Sequence, residues 1–142
     1  MNTDPSPPPV LAPGSPVDTA TTAMRHWTDG AASGDWSRLI AMLDEDVTFH
    51  VPVDGFEGMR HGAGEATAFF DHLTAVLRAD LTVTSTLCDG ARVGFEVTVR
   101  GVMRGRRFVQ ALCLVFQVAA GRVLAFQEYL AWPGGLEPEA LG

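Results

Sequence analysis

This chain contains no lysine. All ten of its basic side chains are arginines, set against 17 Asp and Glu for a formal net charge of −7. That acidic balance excludes a general nucleic-acid binder, which needs a basic footprint. Cysteine is scarce as well. Cys88 and Cys113 are too few for a disulfide framework, and neither stands in a CxxC. They are expected to be buried, reduced thiols of a cytoplasmic protein. No apolar run approaches the length of a membrane span. The opening "MNTDPSPPPVLAPGSP" lacks the basic stretch followed by an apolar one that marks a secretion signal. The four histidines, His26, His50, His61 and His72, show neither HxxxH nor HExxH spacing, so no metal is expected. "GAG" at 62–64 has no strand directly before it and is no nucleotide motif. No cofactor, nucleic acid or membrane contact is expected.

What is present suits one domain with a real core: 142 residues, 46% of them apolar. Six of the nine prolines fall in residues 1–16, which read as a disordered tail. The folded domain is expected over 17–133, with a short C-terminal tail at 134–142. In "VDTATTAMRHWTDGAASGD", Ala20, Ala23, Met24, Trp27 and Ala31 recur at helical spacing. Asp18 or Thr19 is placed to cap the start and Gly34 to end it. Asp35 opens a short second helix carrying Leu39, Ile40 and Leu43. "DED" at 44–46 reads as a turn, and "VTFHVPV" at 47–53 alternates like a strand. A loop through Gly55, Gly58 and Gly62 leads to a third helix, 64–77, with Ala66, Phe69 or Phe70, Leu73 and Leu77 as its stripe.

After Ala79 the period becomes two. "LTVTSTL", "RVGFEVTVR", "RFVQALCLVFQV" and "RVLAFQEYLAW" read as four strands separated by Asp89-Gly90, Gly101–Gly105 and Ala120-Gly121. Three helices and a strand followed by an antiparallel meander define an α+β fold, with helices on one face of a bent sheet. In the last strand Leu124, Phe126, Glu128 and Leu130 share a face. A carboxylate among apolar groups has its charged form disfavoured, so it can donate a proton or a hydrogen bond near neutral pH. The competing structural role would pair Glu128 with an arginine or with the Trp27 Nε1–H. His50 is expected outward by alternation. The segment "VRGVMRGRRF" at 99–108 gathers Arg100, Arg104, Arg106 and Arg107 in one hairpin. That segment reads as a mobile, solvated turn, or else as a basic flap for a substrate carboxylate or an acidic carrier protein.

Four segments, in this order and spacing, carry a resemblance: "AASGDW", "LDEDVTFHVP", "HGAGEATAFF" and "VFQVAAGRVLAFQEYL". Over residues 18–132 the chain resembles the nuclear transport factor 2-like (ketosteroid isomerase-like) superfamily, and within it the SnoaL-like polyketide cyclases. The resemblance implies a cone-shaped α+β barrel. Three N-terminal helices would pack on a strongly curved, mainly antiparallel sheet around a deep pocket, in a homodimer joined through the sheet's outer face. The superfamily hosts several chemistries, so the site must decide. Where ketosteroid isomerases carry a catalytic Asp, Tyr and second acid, this chain has Val51, Trp27 and Leu114. Where limonene epoxide hydrolases carry an Arg–Asp pair, it has Val97 and Val99. Their last-strand acid is matched by Glu128, and their register would turn His50 inward.

The pocket so implied is lined by Met24 and Trp27 of the first helix, Phe49 and Val51 of the first strand, and Phe69 of the third helix. Val97, Leu112, Leu114, Phe116, Phe126 and Leu130 of the meander complete it around Glu128. An apolar pocket with one acid suits a polyketide cyclase that folds a small-molecule intermediate and closes a ring. The closure would be a [4+2] addition, an aldol or a conjugate addition, achieved mainly by positioning. An acyl carrier protein is a conceivable second partner. Two alternatives stand beside it: an isomerase or epoxide-opening enzyme pairing Glu128 with His50, and a binding module without chemistry.

Overall fold

The computed structural model describes residues 15–132. The expected C-terminal tail, and all but two residues of the proline-rich one, lie outside the described residues. Helix α1 (Pro16–Ser33) buries Ala20, Ala23, Met24, Trp27 and Ala31, the stripe legible in the sequence. Its cap is Ser15 rather than Asp18 or Thr19. The Ser15 hydroxyl accepts the Asp18 N–H at 3.2 Å, and Pro16 takes the first helical position, where its missing N–H costs nothing. Gly34 ends the helix at φ 86°, a left-handed conformation that glycine adopts without strain.

Helix α2 (Ser37–Ile40) is a single turn. Leu43, expected in that helix, instead opens strand β1 (Leu43–His50). The acidic "DED" lies inside this strand, not in a turn between elements. There the register against β6 slips between Leu43 and Thr48, so the sequence shows turn residues where the chain is an irregular strand. Residues 51–53 fall past the strand's end. A two-residue strand β2 (Arg60–His61) pairs with β1 inside the expected loop. It is too short to carry any alternation.

Helix α3 (Ala63–Val76) buries both Phe69 and Phe70 with Ala66 and Leu73. It runs directly into β3 (Leu77–Asp89), so Leu77 belongs to the sheet. Strands β4 (Arg92–Met103), β5 (Arg106–Ala119) and β6 (Arg122–Trp132) complete the meander. The six strands order as β2-β1-β6-β5-β4-β3 and are antiparallel except for β1 beside β6. The sheet curls around the helices without closing. On β4, Val93, Phe95, Val97 and Val99 turn inward, whereas Glu96, Thr98 and Arg100 take the outer face.

The narrow end of the curl is solid. Trp27 stands edge-on to Trp36, Phe70, Phe116 and Phe126, with ring centroids 5.3–6.0 Å apart. Phe49 stacks on Phe126 at 4.9 Å. Such pairs contribute roughly 0.5–1.5 kcal/mol each beyond their burial. The cysteines are free but not buried as expected. Cys88 is exposed near the end of edge strand β3, and Cys113 is half-buried on the outer face of β5. Among the described residues no helix is long and apolar enough to cross a membrane.

Candidate active site

Within the curl lies a cavity of about 80 Å³. Trp27 and Ala31 close it from α1, Phe69 and Leu73 from α3, and Pro52 and Val53 from the loop after β1. The sheet adds Leu77 and Leu81 of β3 and Val99 and Met103 of β4. Strand β5 gives Phe108, Gln110 and Leu112, and β6 gives Glu128. Along β5 the wall runs from Phe108 to Leu112, and Glu128 stands opposite the next inward residue, Leu114. So little space along so long a wall makes a narrow slot.

Glu128 is placed by strand parity. Phe126 and Leu114, its neighbours along and across the ladder, are buried. Glu128 is partly buried and lines the cavity. Burial pushes its pKa from the ordinary 4.5 up to about 7. No hydrogen bond or cation offsets that rise among the described residues. The partners a structural role would require, an arginine or the Trp27 indole, are not bonded to it. Among the described residues lining the slot, Gln110 is the other amide- or acid-bearing side chain.

Of the residues expected in the pocket, Trp27, Phe69, Leu112 and Glu128 line this cavity. Met24, Phe49, Val51, Val97, Leu114, Phe116 and Phe126 do not. Each is packed into the solid core, at most 3% exposed, because the curl is tightest there and the aromatic rings fill it. Leu130 is 38% exposed and lies outside the slot, since the strand pairing slips beside it between Ala111 and Leu112. His50 is exposed at the end of β1, next to the buried Phe49, and is not brought to Glu128. The alternation of β1 indicated this; the epoxide-hydrolase register did not hold.

The sequence reading missed the other ten lining residues: Ala31, Pro52, Val53, Leu73, Leu77, Leu81, Val99, Met103, Phe108 and Gln110. Their one visible sign was the hairpin at 99–108, whose Met103 and Phe108 sit among arginines. The tip of that hairpin, residues 104–107, is exposed to solvent as a turn, but its backbone is anchored. The Arg104 N–H donates to the Val76 carbonyl at 2.8 Å, docking the tip on the end of α3. His72, on α3, faces both the Phe56 ring (centroids 5.6 Å apart) and the Arg104 guanidinium (3.4 Å). No group of three or more potential metal-ligating side chains occurs among the described residues.

A curled sheet and three helices around a slot with one buried acid define the NTF2-like fold class. The chain belongs to the SnoaL-like domain family, which matches residues 24–126. No curated protein sequence matches it. Among solved structures it is similar to an NTF2-like protein from Anabaena variabilis, with 24% identity over 84% of this chain and 91% of that one, TM-score 0.78. It is also similar to a candidate polyketide cyclase from Xanthomonas campestris, with 22% identity over 81% and 92%, TM-score 0.66. An LEH-like epoxide hydrolase from M. tuberculosis gives 20% identity over 79% and 82%, TM-score 0.65. At these identities the likeness establishes the fold.

Proposed function

We propose that this protein is a cofactor-independent cyclase that closes a ring in an apolar polyketide-type intermediate, with Glu128 as hydrogen-bond or proton donor to a substrate carbonyl. The observation that carries this is a carboxyl group without a partner among the described residues, set in an apolar slot and neutral for a large fraction of molecules near pH 7. A neutral carboxyl group bound to a carbonyl oxygen withdraws electron density from the conjugated carbons. That assists a [4+2] closure, an aldol or a conjugate addition. The narrow walls hold the chain in one conformation, and such positioning lowers the barrier substantially. The likeness to a candidate polyketide cyclase supports the same class.

Epoxide opening or isomerisation by Glu128 with His50 loses its second group, because His50 faces away from the slot. A binding module without chemistry predicts unchanged ligand. The test is incubation of purified protein with linear, carbonyl-bearing polyene chains, following isomeric ring products of unchanged mass. Acceleration over buffer that is lost in Glu128→Gln is expected. No acceleration, or acceleration equal in Glu128→Gln, removes the proposal.

A further inference from the structure

The hairpin that gives the slot Met103 and Phe108 is basic although the chain is acidic. Two ion pairs form among the described residues, Arg60 with Glu65 and Arg122 with Asp44, and neither lies on the hairpin. The hairpin arginines divide by face. Arg100 stands across the β3–β4 ladder from Asp80, and Arg107 across β4–β5 from Val102, both on the outer side. Arg106 pairs with Met103, a cavity residue, and precedes Phe108 and Gln110 on the inward face of β5. Arg104 is fixed at the tip by its main-chain bond to Val76 and reaches His72. Neither Arg104 nor Arg106 has a carboxylate partner among the described residues. Arg78, the second residue of β3, is already spent on the Thr74 and Leu77 carbonyls.

We propose that the slot takes an apolar substrate ending in a carboxylate, and that Arg104 and Arg106 hold that carboxylate at the hairpin. This rests on the slot being the substrate site and adds the substrate's charge and length. From Arg106 to Leu114, opposite Glu128, is eight residues of β5, at most about 27 Å along the strand. Curvature of the sheet and the length of an arginine side chain shorten that span without abolishing it. The carboxylate and the reacting carbonyl therefore lie at opposite ends of an extended chain, not on neighbouring carbons. Guanidinium suits the task, because its forked donors match a carboxylate.

Calorimetric titration with decanoate and with decanol tests this near pH 6, where decanoate is ionised and Glu128 largely neutral. Two exposed charge contacts predict decanoate binding roughly threefold to tenfold tighter than decanol. The preference should hold in about 0.01 M salt and vanish in about 1 M, where the Debye length falls from about 30 Å to about 3 Å. It should be lost in Arg104→Gln/Arg106→Gln and kept in Arg100→Gln/Arg107→Gln, which removes equal charge from the outer face. Equal affinities, or a preference lost equally in both double variants, overturns the proposal and leaves the role of Glu128 standing. Binding of neither probe overturns both.

Discussion

Glu128 stands directly across the β5–β6 ladder from Leu114, a side chain with no exposure at all. Folding therefore places an ionisable group where water solvates it poorly, and stability depends on pH. The carboxyl pKa is about 7 folded against an ordinary 4.5. Between those values the folded protein keeps a proton that the unfolded chain has released. Stability from this group is thus complete below about pH 4.5, declines as pH rises toward 7, and is flat above. The decline is on the order of 1–3 kcal/mol. Urea midpoints of wild type and Glu128→Gln, measured from pH 5 to 8, should diverge, with the variant more stable at pH 8. Parallel curves would mean the carboxyl group is solvated.

The same titration governs catalysis with the opposite emphasis. If the neutral acid is the working form, kcat/KM falls as pH rises through about 7. Glu128→Asp should keep the pH dependence but lose rate, because the shorter side chain withdraws the donor from the carbonyl. A rate that rises through pH 7 would make Glu128 a base.

How far the sequence carried the fold is shown by α1 and β6. Both have strong periodicity, so the stripe of Met24 and Trp27 and the inward face of Phe126 and Glu128 could be read directly. Leu43 and the acidic residues after it were misread because an irregular strand carries the residues of a turn. The slot was harder. Alternation says which face a residue takes but not where along the cone rings fill the interior. Phe49, Phe116 and Phe126 are inward, yet they close the floor. The space lies nearer the hairpin, where the sheet contributes Val99, Met103 and Gln110.

Gly30 shows why α1 can approach α2. A methyl group there would lie 2.6 Å from Trp36 Cδ2, and Trp36 is itself wedged against Phe70 at 4.9 Å. In a free helix Gly→Ala gains about 1 kcal/mol. Here overpacking costs about 1–3 kcal/mol and outweighs it. Gly30→Ala is expected to lower Tm by several degrees, with near-UV circular dichroism of the tryptophans changed. A raised Tm would mean Trp36 has room to move.

Filling the slot separates its functional role from a structural one. Val99 is 5% exposed and lines the cavity midway between the hairpin and Glu128. Val99→Phe adds a ring to a space of about 80 Å³. If the space is a packing defect, filling it raises Tm and changes nothing else, since cavities cost about 24 cal/mol per Å³. If it is the path from hairpin to acid, the same variant keeps or gains Tm while decanoate binding and turnover both disappear. Glu128→Gln, by contrast, should retain binding and lose turnover. Turnover preserved in a stably folded Val99→Phe would place the chemistry elsewhere on the molecule.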